Sequence, residues 1–292
     1  MNQTTASSWR DYLELTKPGV QALLFVSCIS GMLIGSKFSP PLSIFIFGLL
    51  GISFLAASAA VINHIFDSEI DAKMNRTSSR PLVKGSITEF SASIFAAVLY
   101  ISGSLMLLVY VNALTWILTS LTFIFYAFIY TRYLKFMTSQ NIVIGGLAGA
   151  MPPLLGWTAV SNTIEPNAWL LVLIVMVWTP PHFWALAVYR VDDYAEAAVP
   201  MLPVQKGVAF TKQHIVLYTL LLLASTMLPY AVGMFQELYL VAALILGLGF
   251  LYFSIKLYRD DTNASAMQTF AYSISYLAAL FGAMLVDQYL YL

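Results

Sequence analysis

Apolar residues run along this chain in long blocks separated by short polar clusters. Crossing about 30 Å of hydrocarbon takes about 20 helical residues. Blocks of that length predict nine spans, near 20–36, 44–64, 91–111, 113–131, 141–160, 168–187, 215–233, 237–257 and 270–290. The run from Ser91 to Tyr130 is too long for one crossing, and Asn112 near its middle is the natural turn of a helical hairpin. The pattern predicts an all-α polytopic membrane protein forming one domain over residues 1–292.

Composition supports the pattern. Of 292 residues 60% are hydrophobic and 10% charged, against about 25% charged in a soluble domain. A soluble chain of this length still needs a charged surface. A formal net charge of zero gives no electrostatic footprint for nucleic acid. The single cysteine, Cys28, excludes an internal disulfide and reads as a small packed thiol in an apolar run. The N-terminal stretch lacks a small-residue cleavage pattern and repeated arginines, which suggests a bacterial inner (plasma) membrane protein; a mitochondrial inner-membrane protein is the alternative.

The distribution of charge then sets the topology. Thirteen of the 14 Lys and Arg residues lie in the N-terminal segment or after even-numbered spans, and Lys37 alone lies on the other side. By the positive-inside rule this predicts a cytoplasmic N-terminus and a C-terminus on the opposite side. Eleven of the 14 acids fall on the same side as the basic residues. The loops at 65–90 and 189–214 are therefore expected to be the working end.

Candidate chemistry gathers in those loops. Asn63, Asp67 and Asp71 stand at i, i+4 and i+8, so a continuing helix places them on one face about 6 Å apart per step. Two carboxylates and an amide in that arrangement suit Mg²⁺, which takes one or two carboxylates, water and phosphate oxygens. Lys73, Arg76, Arg80 and Lys84 follow, supplying cations for a metal-bridged diphosphate. A solvated helix end with topogenic charge explains the same spacing about equally well. A second charged cluster holds Arg190, Asp192, Asp193, Glu196 and Lys206. His182 follows Pro180 and Pro181 inside an apolar block; a ligand or acid/base role and a bond to a proline-freed carbonyl are equally consistent with it. His64 and His214 read as interfacial, and three histidines without zinc-site spacing argue against a structural metal. Tyr126, Tyr130, Tyr133 and Lys135 close the fourth span, as an aromatic belt or as a surface that stabilises a carbocation while Lys135 holds a leaving anion. Gly145, Gly146 and Gly149 have the spacing of close helix packing and not of a dinucleotide loop.

The blocks NHIFDSEIDAKMNRT, RPLVKG, YTRYLK, NIVIGGLAGAMPP, WTPPHFWALA and DYAEAAVPMLPVQKG resemble, in order, those of the UbiA-type intramembrane prenyltransferases, and among them the protohaem IX farnesyltransferases (haem O synthases). The resemblance covers about Leu15 to Tyr218. It implies a nine-helix bundle around a central cavity and transfer of farnesyl from farnesyl diphosphate to a vinyl group of haem B, giving haem O. On it, Asn63, Asp67 and Asp71 fall on a first acidic motif for Mg²⁺ and diphosphate, while Asp193 and Tyr194 fall on a second. Position 197 is Ala, so Asp193 lacks an acid four residues on, whereas Asp192 and Glu196 have that separation. Which of them meets a second metal stays open. The expected catalytic set is Asp67, Asp71, Asp193, Tyr194 and His182. The expected diphosphate set is Asn63, Arg76, Arg80, Lys84 and Lys135, and the metal set is Asn63, Asp67, Asp71 and Asp193.

Three rivals are kept. An aromatic or quinone-precursor acceptor would use the same chemistry. A secondary transporter would place its polar sites near the bilayer midplane, whereas these acids stand at helix mouths. A non-catalytic scaffold gives the two acidic clusters no purpose. Any partner in haem A synthesis or terminal-oxidase assembly is not readable in the residues.

Overall fold

The computed structural model describes residues 8–74 and 77–292. Among those residues there is no strand, and nine helices are long and apolar enough to cross a membrane. They are α1 (Pro18–Gly35), α2 (Leu42–Asp71), α3 (Glu89–Tyr110), α4 (Ala113–Met137), α5 (Asn141–Ser161), α6 (Pro166–Tyr189), α7 (Val208–Ala231), α8 (Glu237–Arg259) and α9 (Ala266–Leu290). Each predicted span is recovered. Two boundaries move most: α2 continues through Asp71, and α7 begins at Val208, with Lys212 buried inside its first turns and donating to the Asp260 carbonyl. Hydropathy alone reads Lys212 as loop; the neighbouring chain end makes it helix.

Lipid offers no hydrophobic drive for one helix to leave it for another, so close packing rests on small residues. A Cβ on Gly31 would lie 2.0 Å from the Pro153 carbonyl oxygen, and one on Gly156 2.1 Å from that of Cys28, so α1 and α5 touch backbone to backbone. Cys28 is buried in this seam, as expected. Gly51 and Gly103 play the same part between α2 and α3. On the outer surface Ile101, Leu105 and Val109 of α3 stand exposed at i,i+4 spacing, toward lipid. The helices α5 and α6 are the most enclosed. Around them α1 packs on α2, α5 and α9, while α6 packs on α5, α7 and α9.

The expected hairpin turn is present. Asn112 caps α4 by accepting from the Thr115 amide at 2.8 Å, and its own amide donates to the carbonyls of Thr158 and Ala159 at 3.0 and 3.1 Å. Past Ile124, α4 widens into ten residues of π-helix, Phe125–Leu134. Consecutive helices alternate in direction, so the start of α1 and the ends of α2, α4 and α6 meet at one end of the bundle. The short helices Trp9–Leu15, Pro81–Lys84, Val191–Glu196 and Leu202–Lys206 belong to the connections of that end.

Candidate functional site

Because α2 stays helical through Asp71, its last two turns present Asn63, Asp67 and Asp71 on one buried face. Each rung meets a cation. The Lys17 ammonium donates to Asn63 Oδ1. Lys135 Nζ lies 2.8 Å from Asp67 Oδ1. The Arg80 guanidinium pairs with Asp71 Oδ2. The Asn63 amide is oriented from its other side, donating to Asp67 Oδ2 at 3.0 Å and to Thr131 Oγ1 at 3.1 Å.

The elements that deliver these cations explain the arrangement. Lys17 precedes Pro18, which starts α1 with a preset φ, and it adopts φ 53° and ψ 60°, sparsely populated for a side chain with Cβ. That turn brings its ammonium to α2. Burial, with Arg80 adding repulsion, lowers the ammonium to about 7, while Asp67 and Asp71 pull the other way. Arg80 is carried back by the loop after α2, which Thr77 ties down by donating to the Asp71 carbonyl at 3.0 Å. Lys135 follows the π-helical stretch, where Thr131 donates to the carbonyl five residues back, on Tyr126, at 2.8 Å. The wider winding places both Thr131 and Lys135 toward α2; such segments recur at functional sites. Tyr126 and Tyr130 of this stretch stack with centroids 5.6 Å apart, while Tyr133 is exposed, as a belt residue is.

The donor set fits a hard divalent cation. Two carboxylates and an amide oxygen are what Mg²⁺ takes from a protein while leaving positions for phosphate oxygens and water, and each of these residues already faces a positive group here.

The other expected residues are placed differently. Arg76 lies outside the described residues. Lys84 is exposed at the end of its short helix and forms no ion pair among the described residues, so it is not brought to the ladder. Asp193 pairs with Arg190 at 3.3 Å on the helix Val191–Glu196, where Asp192 and Glu196 are exposed. Tyr194 packs on the cluster containing Trp184, Met201 and Leu202. His182 is buried in the seam between α6 and α9, its ring between those of Trp178 and Phe270 at 4.2 and 4.5 Å. Its Nδ1 lies 2.6 Å from Ser273 Oγ, which itself donates to the Phe270 carbonyl, so Nδ1 carries the proton. It therefore serves no proline-freed carbonyl. His64, next to Asn63 near the end of α2, is buried, 2% exposed. Of the three glycines, Gly145 and Gly146 meet Tyr130 and Thr179 closely, while Gly149 faces open space.

Sequence reasoning missed Lys17 and Thr131. Lys17 was legible as a basic residue at a helix mouth on the charged side, yet its topogenic role hides a second one. Nothing in FYAFIYTRYL announces π winding.

The model of the UbiA prenyltransferase family matches residues 24–281. Curated relatives include a protohaem IX farnesyltransferase of Saccharophagus degradans, 53% identical over 97% of this chain and 94% of that protein. Another, from Alcanivorax borkumensis, is 54% identical over 97% and 94%. Among solved structures, a digeranylgeranylglyceryl phosphate synthase shares the fold with a TM-score of 0.79 at 23% identity, over 96% of this chain and 98% of that one. A UbiA homologue from Archaeoglobus fulgidus bound to DMAPP and Mg²⁺ does so with 0.66 at 16% identity, over 94% and 99%.

Proposed function

Since the chain belongs to the UbiA prenyltransferase family, we propose that it transfers a farnesyl group from farnesyl diphosphate to a vinyl group of haem B, releasing diphosphate and giving haem O. The observation that carries this reading is the cation-clamped ladder at the mouth of an apolar bundle. A farnesyl tail partitions into lipid while its diphosphate stays at the interface, where the ladder stands. The name of the protohaem IX farnesyltransferase relatives supports the farnesyl donor and the haem acceptor, and the structure bound to DMAPP and Mg²⁺ supports a prenyl diphosphate with that metal.

In this mechanism Asn63, Asp67 and Asp71 would hold Mg²⁺, with Asp193 as the candidate from the second cluster. Bound Mg²⁺ would neutralise diphosphate oxygens and so favour departure of that group. Lys17, Arg80 and Lys135 accept the released charge: each is tied to one rung and keeps further N–H donors for phosphate oxygens. As the C–O bond of the prenyl donor breaks, the stacked faces of Tyr126 and Tyr130, on the same π-wound stretch as Thr131, stabilise the allylic cation. The apolar bundle keeps bulk water from that cation. The vinyl π electrons of haem attack it, and addition of water to the resulting haem-side cation, with loss of a proton, leaves a hydroxyethylfarnesyl group. His182 remains a candidate for orienting haem or that water, since Nδ1 is satisfied and Nε2 keeps its lone pair. We place the charged end at the cytoplasmic face of a bacterial plasma membrane on the positive-inside count.

The test is direct. Membranes containing the protein, supplied with haem B, farnesyl diphosphate and Mg²⁺, should form haem O by mass, and Asp67→Asn or Asp71→Asn should abolish it with the protein still inserted. No product beside an active control overturns the assignment. Wild-type turnover in either variant overturns the ladder's role.

A further inference from the structure

A cavity of about 580 Å³ opens where α8 turns into α9, at the charged end of the bundle, lined by Tyr252, Ile255, Lys256, Arg259, Asp260 and Ser265 among others. No residue of the ladder or of its clamp takes part in it. Its charge is unbalanced. Lys256 Nζ bonds the neutral side chain of Gln268 at 2.8 Å, and Arg259 forms no ion pair among the described residues. The carboxylate on the wall, Asp260, is spent on the turn itself: it accepts from the Thr262 amide and hydroxyl at 2.9 and 2.6 Å and from the Ser265 amide at 2.7 Å. Against the same wall the Lys212 ammonium of α7 is buried, 6% exposed, and donates to the Asp260 carbonyl, again with no ion pair among the described residues. A buried ammonium with no anion beside it is costly. Three cations thus stand against Asp260 and the exposed Asp261, which leaves the turn cationic.

The face leading to the cavity is apolar and open. Ile245, Leu248 and Tyr252 stand at i, i+3 and i+7 on α8, all exposed, and lead to Lys256 one turn further on. At 1.5 Å per residue, the rise from Ile245 to Lys256 is about 16 Å, the depth of one leaflet of an about 30 Å hydrocarbon core. Tyr252 then stands where the apolar and charged zones meet, as interfacial aromatics do. A cationic cavity above an apolar strip one leaflet deep matches an anionic head group carrying an acyl chain.

We propose that this cavity binds an anionic diacyl phospholipid, its phosphate between Lys256 and Arg259 and one acyl chain along Ile245, Leu248 and Tyr252. The site is separate from prenyl transfer and does not rest on that reading. A lipid bound there ties the end of α8 to the turn that leads into α9, so its occupancy stabilises the fold.

The experiment uses purified, delipidated full-length protein in detergent. Phosphatidylglycerol and phosphatidylcholine with the same acyl chains are titrated, with native mass spectrometry counting bound lipid and thermal unfolding reading stability. Phosphatidylglycerol should bind about tenfold or more tightly than phosphatidylcholine and raise the unfolding temperature. Lys256→Gln combined with Arg259→Gln should weaken phosphatidylglycerol about 30-fold, the contribution of two basic residues at an anionic surface, and leave phosphatidylcholine unchanged. Arg10→Gln combined with Lys206→Gln removes two exposed cations that do not line the cavity, and should leave both lipids unchanged. Inorganic phosphate in excess should neither stabilise the protein nor displace the lipid. Equal affinity for the two lipids in the wild type overturns the proposal, as does an equal loss in both double variants. Displacement by inorganic phosphate shows a free-phosphate site and overturns the lipid. Where the double variant at 256 and 259 fails to fold, the single variants decide: each should lose about fivefold, and no loss in either overturns the site.

Discussion

The ion pair of Lys135 with Asp67 gives a prediction that separates a working clamp from an accidental one. Its atoms are 2.8 Å apart and its side chains 17% and 7% exposed. At that distance the direct attraction is about 6 kcal/mol with an effective dielectric constant near 20, most of it offset by the desolvation of both charges. Removing one partner leaves the other buried and unpaired, which is worth about 3–5 kcal/mol. Lys135→Met and Asp67→Asn should therefore each destabilise the protein by about 3 kcal/mol in chelator, where no metal substitutes for the missing charge. The double variant should lose less than either single one, since no unpaired charge remains. The assay is unfolding of the purified protein in a denaturing-detergent titration, read by loss of helical circular dichroism, with the four proteins forming a double-mutant cycle. Mg²⁺ added to Lys135→Met should restore more stability than it adds to the wild type, because the metal takes over the charge that the ammonium supplied. Strictly additive losses would falsify the pairing, and an equal Mg²⁺ response in both proteins would refute the idea that metal and ammonium compete for Asp67.

Three further outcomes follow from the same geometry. Thr131→Val keeps the shape of the residue but removes the acceptor of the Asn63 amide and the bond to Tyr126; turnover should fall about tenfold and the Mg²⁺ requirement should rise, with Thr131→Ser near wild type. Gly156→Ala places a methyl group against the Cys28 carbonyl and should cost at least about 2 kcal/mol of stability, whereas Gly149→Ala, facing open space, should cost nothing measurable in the same detergent titration. Asp287, fully buried, accepts from the amides of Gln236 and Tyr239 at 2.7 and 2.9 Å and so caps α8 from α9; Asp287→Ala should lower stability by about 1–2 kcal/mol while the KM for either substrate stays at its wild-type value.

Sequence alone determined the class of the protein and the number of its spans, because the free energy of placing 20 apolar residues in lipid depends on composition and hardly on neighbours. It also placed Asn63, Asp67 and Asp71 on one face, since helical periodicity is a local property. Which groups would meet that face was a different matter. Lys17, Arg80 and Lys135 reach it from 46, nine and 68 positions away in the chain, through a left-handed turn at α1, a folded loop and a π-wound segment. None of these has a local energetic signature strong enough to read from composition. His64 shows the same limit, for one step of 100° around α2 separates it from the ladder, and only packing makes that position a buried one. The ladder is written in the local sequence; its counter-charges are supplied by packing between distant helices, whose geometry is fixed by contacts such as those of Gly31 and Gly156 that only the folded chain makes.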